Sequence, residues 1–358
     1  MSKEFFDAYR TRRNKATARI QDSAHVALLI SDLKNVRYLT GFSGSNALMV
    51  IREDGQHLLL TDGRYDTQIR LETGEPEDVA IEIGGKLFER AAEFAGKDFA
   101  VEPSLDYGQA RALDNPPVLS SVVEDLRLVK DELEIDALAA AGELADSVWR
   151  SFIEDDGIRE GIPEIQAAAE LEFQLRTAGA DGLSFDTILA SGQNATKPHA
   201  GVSRDKIVPG LVTVDFGVYL DGYASDQTRT VCVGEPDELS RELYDVVYRA
   251  QKAGEAILAP GVALRNVDAA CRDVITEAGY GEFFVHSTGH GVGLDVHEAP
   301  RAAAGVNPEE ELVEGMTVTV EPGIYIPGKT GLRIENTYVI TADGARSFNA
   351  SPTELIVV

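Results

Sequence analysis

Three of the six histidines in the chain lie within the thirteen-residue stretch HSTGHGVGLDVHE, which begins at His286. His290 follows four residues later, and His297 seven residues after that. The glycines between them allow a tight bend, so that the imidazoles can be aimed at one point. Imidazole is both a proton carrier near neutral pH and a common metal ligand. The stretch therefore predicts a functional centre, and after position 57 the sequence has one further histidine, His199.

Four carboxylates lie among apolar neighbours in two strand-like segments. LVTVDFGVYLDGYASDQTRTVCV contains Asp215 and Asp226, and MTVTVEPGIYIPGKTGLRIENTYVI contains Glu321 and Glu335. A buried carboxylate is costly unless it is paired or bound to a cation. Four carboxylates with one or more imidazoles therefore indicate a site for a pair of divalent ions such as manganese, cobalt or zinc.

The first of these segments is expected to fold as a β-hairpin, because Asp221-Gly222 is a turn signal. A turn centred there places Asp215 opposite Thr228, two residues from Asp226. A turn centred one residue earlier places Asp215 directly opposite Asp226. Both registers bring the two carboxylates to one face of the ribbon, ~5 to 8 Å apart.

The sequence from residue 126 onward repeats one order of elements, which is helix, helix, hairpin. Glu321 follows Asp215 by 106 positions, and Glu335 follows Asp226 by 109. In the second hairpin, the Pro327-Gly328 turn allows Glu321 and Glu335 to face each other. Each half thus supplies two carboxylates from equivalent strands, and convergent halves would surround one shared axis.

The amino-terminal residues 1–125 alternate short apolar runs, such as HVALLIS and HLLLT, with helical stretches. This alternation predicts an α/β domain. Residues 126–358 then form an α+β domain with internal two-fold pseudo-symmetry. The amino-terminal sequence contains no cluster of histidines or paired carboxylates, so we expect a structural or assembly role for it.

The composition argues against several kinds of partner. Sixty acidic and 33 basic residues give the 358-residue chain a net charge of −27. This charge argues against nucleic acid and anionic membrane surfaces, because both require basic patches. No apolar run is long enough to span a bilayer, and the start MSKEFFDAYRTRRNKA lacks a signal-peptide core. We therefore expect a cytoplasmic protein that binds neither nucleic acid nor membrane.

Three segments carry a resemblance to a known family: DFGVYLDGYASDQTRT, HSTGHGVGLDVHEAPR and VEPGIYIPGKTGLRIEN. In order and spacing they resemble the metal-ligand motifs of Xaa-Pro peptidases of the pita-bread fold, the prolidases and aminopeptidases P. NVRYLTGFSGSNALMVI and LTDGRY look like the amino-terminal domain of the same proteins. The resemblance implies a creatinase/prolidase-like domain over residues 1–125, a pita-bread catalytic domain over 126–358, and a homodimer.

The resemblance also implies a ligand set for two divalent ions, with manganese first and cobalt or zinc as alternatives. Its five members are Asp215, Asp226, His290, Glu321 and Glu335. A water held between two such ions would become the nucleophile, and Glu321 would take up its proton. Asn336 stands where related proteins often carry an aspartate. Position 336 is not one of the five ligands, so this difference leaves the ligand set complete.

The same resemblance implies residues that act on the substrate. His199, His286 and His297 would bind the scissile carbonyl and help to protonate the leaving nitrogen, and the sequence leaves the division among the three open. Arg301 would meet the free carboxylate of a dipeptide. Arg333 would bind substrate or stabilise the carboxylate cluster.

The activity implied is metal-dependent hydrolysis of the Xaa-Pro bond in dipeptides. The alternative is an Xaa-Pro aminopeptidase that acts on longer proline-containing peptides. A metal-free creatinase-like enzyme and a non-catalytic binding module of the same fold are more distant alternatives. The complete set of five ligands argues against both of these, because such proteins have usually lost some of the ligands.

Overall fold

A mixed five-stranded sheet forms the centre of the amino-terminal unit, which ends at Arg127. The structure, a computed structural model, describes residues 3–358. The strands are β1 (Ala27–Ile30), β2 (Ala47–Arg52), β3 (His57–Thr61), β4 (Val79–Ile83) and β5 (Phe99–Val101). They are ordered β4-β3-β2-β1-β5, with β3–β4 and β1–β5 parallel. The helices are α1 (Lys3–Gln21), α2 (Leu33–Thr40), α3 (Asp66–Thr73), α4 (Leu87–Ala95), α5 (Tyr107–Ala112) and α6 (Glu124–Arg127).

The second unit, Leu128–Val358, begins with two helices and a group of strands. The helices are α7 (Glu132–Glu154) and α8 (Glu164–Thr177). The strands are β6 (Gly182–Leu183), β7 (Ile188–Ser191), β8 (Gly210–Phe216), β9 (Val218–Leu220), β10 (Tyr223–Ala224) and β11 (Gln227–Val233). The long hairpin runs from β8 to β11.

The same order then repeats, which confirms the predicted duplication. Its helices are α9 (Glu238–Ala256) and α10 (Leu264–Glu277). Its strands are β12 (Gly289–Gly291), β13 (Glu298–Ala302), β14 (Thr317–Val320), β15 (Gly323–Ile326), β16 (Thr330–Arg333) and β17 (Asn336–Thr341), followed by β18 (Gly344–Ser347) and β19 (Ile356–Val357). Among residues 3–358, none of the helices has the length and apolar character needed to cross a membrane.

The first hairpin adopts one of the two predicted registers. Strands β8 and β11 are antiparallel, and Asp215 pairs with Thr228. Asp221 and Gly222 have φ angles of 49° and 81°, which is the left-handed backbone of a two-residue hairpin turn. The strands approach so closely at Gly217 that a Cβ there would lie 2.0 Å from the carbonyl oxygen of Ser225. Glycine at this position therefore permits the ribbon that carries Asp215.

The second hairpin places its two glutamates directly opposite each other. Val320 pairs with Asn336 in β14–β17, and Gly323 pairs with Arg333 in β15–β16. The same register between these pairs sets Glu321 opposite Glu335. The two hairpins are thus equivalent in strands but not in ligand positions, because Asp226 lies two residues before the partner of Asp215.

Each half has its own apolar core, and each core holds a residue next to a predicted ligand. In the first half, Trp149 stacks on Phe216 with ring centroids 5.2 Å apart, and Phe216 directly follows Asp215. In the second half, Val320 is fully buried with Cys271 and directly precedes Glu321. Packing of the helices against the strands therefore fixes the backbone at both ligand positions.

Candidate metal centre

A single cavity of about 1070 Å³ is bordered by both hairpins and by the histidine-rich segment. All the residues that the sequence singled out as candidates line it: His199, Asp215, Asp226, His286, His290, His297, Arg301, Glu321, Arg333 and Glu335. The fold thus brings together side chains that are up to 136 positions apart in the sequence.

The donor atoms of this cavity form three overlapping groups, in each of which the atoms lie within 4.8 Å of one another. The groups are Asp215, Asp226 and Glu335; His290, Glu321 and Glu335; and Asp226, His290 and His297. Asp226, His290 and Glu335 each belong to two groups, and of these the two carboxylates have a second oxygen with which to reach a neighbouring position. The third group includes His297, which was not predicted as a ligand.

The ring of His290 is oriented as a metal ligand would be. Its Nδ1 donates a hydrogen bond to the carbonyl oxygen of Gly291 at 3.0 Å, which leaves the lone pair on Nε2. Nε2 lies 3.4 Å from Glu321 Oε1 and 3.6 Å from Asp226 Oδ2. Burial lowers the pKa of His290 to about 4. The imidazole is therefore neutral at physiological pH and can donate its lone pair to a cation.

A cation would stabilise the ionised form of the carboxylates in the cavity. Burial first, and then repulsion from neighbouring carboxylates, raises the pKa of Asp226 and Glu321 well above the usual range and that of Glu335 to about 7. Asp215 Oδ1 is buried and has no hydrogen-bond partner among the described residues. A divalent cation would satisfy this oxygen and offset the repulsion, so the donor set fits a pair of such ions.

Arg333 lies against the carboxylate cluster. Its Nη2 donates to Asp215 Oδ2 at 2.5 Å, and its Nε donates to Thr228 Oγ1 at 3.0 Å. Thr228 in turn donates to Glu335 Oε2 at 2.7 Å. The buried guanidinium is thus a counter-charge to the cluster, and Thr228 connects the two halves of the domain. The sequence could have identified Thr228 as a residue of the site, because it is the cross-strand partner of Asp215 in the predicted hairpin.

Tyr325 connects Arg333 with His286. Its hydroxyl accepts a hydrogen bond from Arg333 Nη1 at 2.6 Å and lies 3.1 Å from His286 Nε2. His286 Nδ1 donates to the carbonyl oxygen of Ser287 at 2.8 Å, so Nε2 accepts from Tyr325. Burial lowers the pKa of His286 to about 4, which keeps the ring neutral. Sequence reasoning missed Tyr325, because an aromatic residue in an apolar strand resembles ordinary core.

The remaining candidates border the open part of the cavity. His199, His297 and Arg301 are exposed, and the ring of His297 lies 4.4 Å from that of His290, centroid to centroid. Arg301 is opposite His290 in β12–β13, and it has no carboxylate partner among the described residues. Asn336 points elsewhere, since its Oδ1 accepts from Arg229 Nη2 at 2.8 Å.

The repeated helix, helix, hairpin order and the carboxylate-rich cavity at its centre define a metallopeptidase of the pita-bread fold. A comparison with family models matches "Metallopeptidase family M24" over residues 136–342. It also matches "Creatinase/Prolidase N-terminal domain" over residues 12–129. The chain belongs to metallopeptidase family M24.

Individual relatives agree with this assignment. The Xaa-Pro dipeptidase of Pyrococcus horikoshii is 37% identical over 339 residues, which cover 92% of this chain and 94% of the relative. The solved structure of the Xaa-Pro dipeptidase from Bacillus anthracis is 36% identical with a TM-score of 0.92, covering 98% of this chain and 100% of that one. An X-Pro aminopeptidase structure from Thermotoga maritima is 33% identical with a TM-score of 0.85, covering 97% and 99%. The predicted fold and enzyme class are confirmed.

Metal binding is expected to release protons and to weaken as the pH falls. The raised pKa of Glu335, about 7, means that the metal-free site holds a proton below neutral pH, which an incoming cation must displace. The proton on Glu335 alone corresponds to ~10-fold weaker apparent binding for each pH unit below 7, and protons on Asp226 and Glu321 add to this effect. Calorimetric titration of chelator-treated protein with Mn²⁺ between about pH 5.5 and 7.5, in buffers of different ionisation enthalpy, measures both effects. Binding that is independent of pH would contradict the expectation.

Proposed function

We propose that this protein hydrolyses the peptide bond before proline in Xaa-Pro dipeptides with two divalent ions, of which manganese is favoured. The observation that carries this proposal is the set of four carboxylates and one neutral imidazole around a single cavity. Oxygen donors outnumber the nitrogen donor, and such a set suits Mn²⁺ better than the nitrogen and sulfur sites typical of zinc. Membership of family M24 and the dipeptidase relatives support the reaction.

The family resemblance implies the ligand roles, and the overlapping groups of donor atoms support them. We assign Asp215 to one ion, His290 and Glu321 to the other, and Asp226 and Glu335 to both. When bound, the ions supply Lewis acidity, which polarises a peptide carbonyl and lowers the pKa of water. The hydroxyls of Thr228 and Thr319 donate to Glu335 and Glu321 and so fix the direction of these carboxylates.

Glu321 is the residue that we assign to proton transfer. Its Oε1 lies 3.4 Å from His290 Nε2, and its Oε2 lies 4.0 Å from Arg333 Nε. The carboxylate is thus held beside the predicted metal positions while it remains partly open to the cavity. It can accept a proton there and pass it on towards the leaving nitrogen.

The three other histidines of the cavity lining divide into two kinds. Both ring nitrogens of His286 are engaged within the chain, by Ser287 and Tyr325. His199 and His297 are exposed at the cavity and line it. We therefore assign His297 and His199 to the scissile carbonyl and the prolyl side of the substrate, and His286 to support of the site through Tyr325.

Two histidine variants separate ligand from substrate-binding roles. His290→Ala is expected to lose one ion and nearly all hydrolysis of Ala-Pro, because a ligand is removed. His297→Ala is expected to keep both ions and to lose ~10²- to 10³-fold in kcat, because this imidazole stabilises charge that develops in the transition state. Metal analysis and steady-state kinetics measure both.

His25→Ala is the matched control, since His25 lies in the amino-terminal unit outside the cavity lining. Loss of an ion from His297→Ala together with full occupancy in His290→Ala would reverse the ligand assignment. Activity of wild-type protein that a chelator does not affect would argue for a metal-free, creatinase-like reaction instead.

The dipeptide preference depends on Arg301. Its guanidinium lines the cavity, has no carboxylate partner among residues 3–358, and lies opposite His290 in β13. A carboxylate contact to such a cation is worth a few kcal/mol when it is desolvated. The free carboxylate of a dipeptide would supply this contact, whereas an amide would not.

A second candidate is the Xaa-Pro aminopeptidase reaction on longer peptides. The cavity of about 1070 Å³ favours it, since pockets for drug-sized ligands measure ~300 to 1000 Å³ and this cavity is at the upper end of that range. A peptide that extends beyond proline would therefore also fit. The two reactions differ in whether a carboxylate one residue after the scissile bond is required.

Arg301→Ala is expected to remove a preference of ~10- to 100-fold for Ala-Pro over the amide of Ala-Pro, mainly through a higher KM. Cleavage rates for Ala-Pro, its amide and Ala-Pro-Ala measure this in wild type and variant. Arg265→Ala, an exposed arginine of α10 outside the cavity lining, is the control. A wild-type preference for Ala-Pro-Ala that persists in Arg301→Ala would transfer the proposal to the aminopeptidase reaction.

We further propose that the protein is a homodimer, as the family resemblance implies. Sedimentation velocity of the full chain is expected to give a single dimeric species. A stable and fully active monomer would refute the dimer. A cytoplasmic location stays a prediction of the sequence.

A further inference from the structure

A buried ion pair lies beside the cavity and has no part in the ligand set. Lys130 Nζ is 2.7 Å from Glu298 Oε1, and the two side chains are 1% and 11% exposed. Glu298 lines the cavity and directly follows His297. Burying two charges costs desolvation energy that their attraction often fails to recover, so stability alone does not explain the pair.

Glu298 contacts the loop between His290 and His297 at two points. Its backbone pairs with Gly291, just after the register shift between His290 and Gly291. Its carboxylate lies over the α-carbon of Gly293, where a Cβ would be 2.3 Å from Oε1. The Glu298 side chain thus occupies the space that a side chain at position 293 would need. Glu298, in β13, therefore holds this loop in place.

Lys130 is anchored to the strand that supports His290. Its backbone N–H donates to the carbonyl oxygen of Gly315 at 2.8 Å, and Gly315 lies two residues before β14. In β14, Thr319 Oγ1 accepts from the backbone N–H of His290 at 3.1 Å. The backbone of Lys130 is therefore fixed relative to His290, and its ammonium group reaches Glu298 from that position.

We propose that Lys130 and Glu298 are positioning residues for His297. The ion pair fixes the loop that carries this histidine, so that its ring stays beside that of His290, with the centroids 4.4 Å apart. This inference rests on the proposed function, because hydrolysis of Ala-Pro is one of its readouts.

Glu298→Gln and Lys130→Met test the proposal in two backgrounds, wild type and His297→Ala. Each single variant is expected to keep two ions and to lower kcat for Ala-Pro by ~10- to 100-fold, with KM changed less than about threefold. In the His297→Ala background, neither change is expected to lower kcat by more than about twofold, because both act through the same imidazole. Lys252→Met is the control, since the Lys252–Glu255 pair is exposed and has the similar distance of 2.8 Å.

Several outcomes would overturn the proposal. They are wild-type kcat in both single variants, a full multiplicative loss in the His297→Ala background, and loss of an ion from either variant. Should one single variant be unstable, Lys130→Met/Glu298→Gln carries the test, because it leaves no buried unpaired charge. The double variant is expected to show the low kcat of the single variants, and recovery of wild-type kcat would refute the role.

A readout independent of activity separates this proposal from the proposed function. The chain has six histidines, so their ring signals can be resolved by NMR with labelled histidine. The signal of His297, assigned by its absence in His297→Ala, is expected to shift or broaden in Lys130→Met, and that of His57 to stay unchanged. An unchanged His297 signal would overturn the positioning role even if wild-type protein failed to hydrolyse Ala-Pro.

Discussion

Repulsion among the buried carboxylates of one cavity is the constraint on which the rest of the structure depends. Two unit charges ~4 Å apart repel by ~4 kcal/mol at the effective dielectric constant of a protein near its surface. The negative charges of Asp215, Asp226, Glu321 and Glu335 therefore need compensation, and burial of Asp226 and Glu335 adds to the cost. Arg333 offsets part of this charge through Asp215. Protons offset the rest in the metal-free chain, and divalent cations can replace those protons.

Such a cluster would spread apart unless rigid elements held it, and the duplicated fold supplies them. Each pair of carboxylates is carried by an antiparallel ribbon whose register is fixed by paired strands. Phe216 and Val320, next to Asp215 and Glu321, are fully buried, so displacement of either ligand would disturb a core. The Glu335 backbone N–H also donates to the carbonyl oxygen of Thr228 at 3.1 Å, which joins the halves. Core packing thus stabilises an arrangement that electrostatics alone opposes.

The sequence predicted much of this arrangement because the information is local. Turn residues, apolar alternation and spacing identified both hairpins, the duplication, the four carboxylates and the histidine cluster. Arg301 and Arg333 came from the family resemblance. The turn signal alone could not choose between two registers of the first hairpin. That choice follows from the backbone of Asp221 and Gly222, both with positive φ. The roles of Tyr325 and Lys130 were not predicted, because tertiary packing determines their partners. Tyr325 contacts Arg333 and His286, and Lys130 contacts Glu298. No periodicity in the sequence relates Lys130 to Glu298.

The basic side chains near the cavity differ in their partners. Arg333 is bound to Asp215, Thr228 and Tyr325, and Lys130 is bound to Glu298. Both are buried and serve carboxylates of the chain itself. Within residues 3–358, Arg301 is then the one lysine or arginine of the cavity lining without such a partner, and it is exposed. A cation left unpaired at the open side of a carboxylate-rich cavity has a use if the substrate brings its own negative charge. A dipeptide that ends in proline brings that charge one residue beyond the bond to be cleaved.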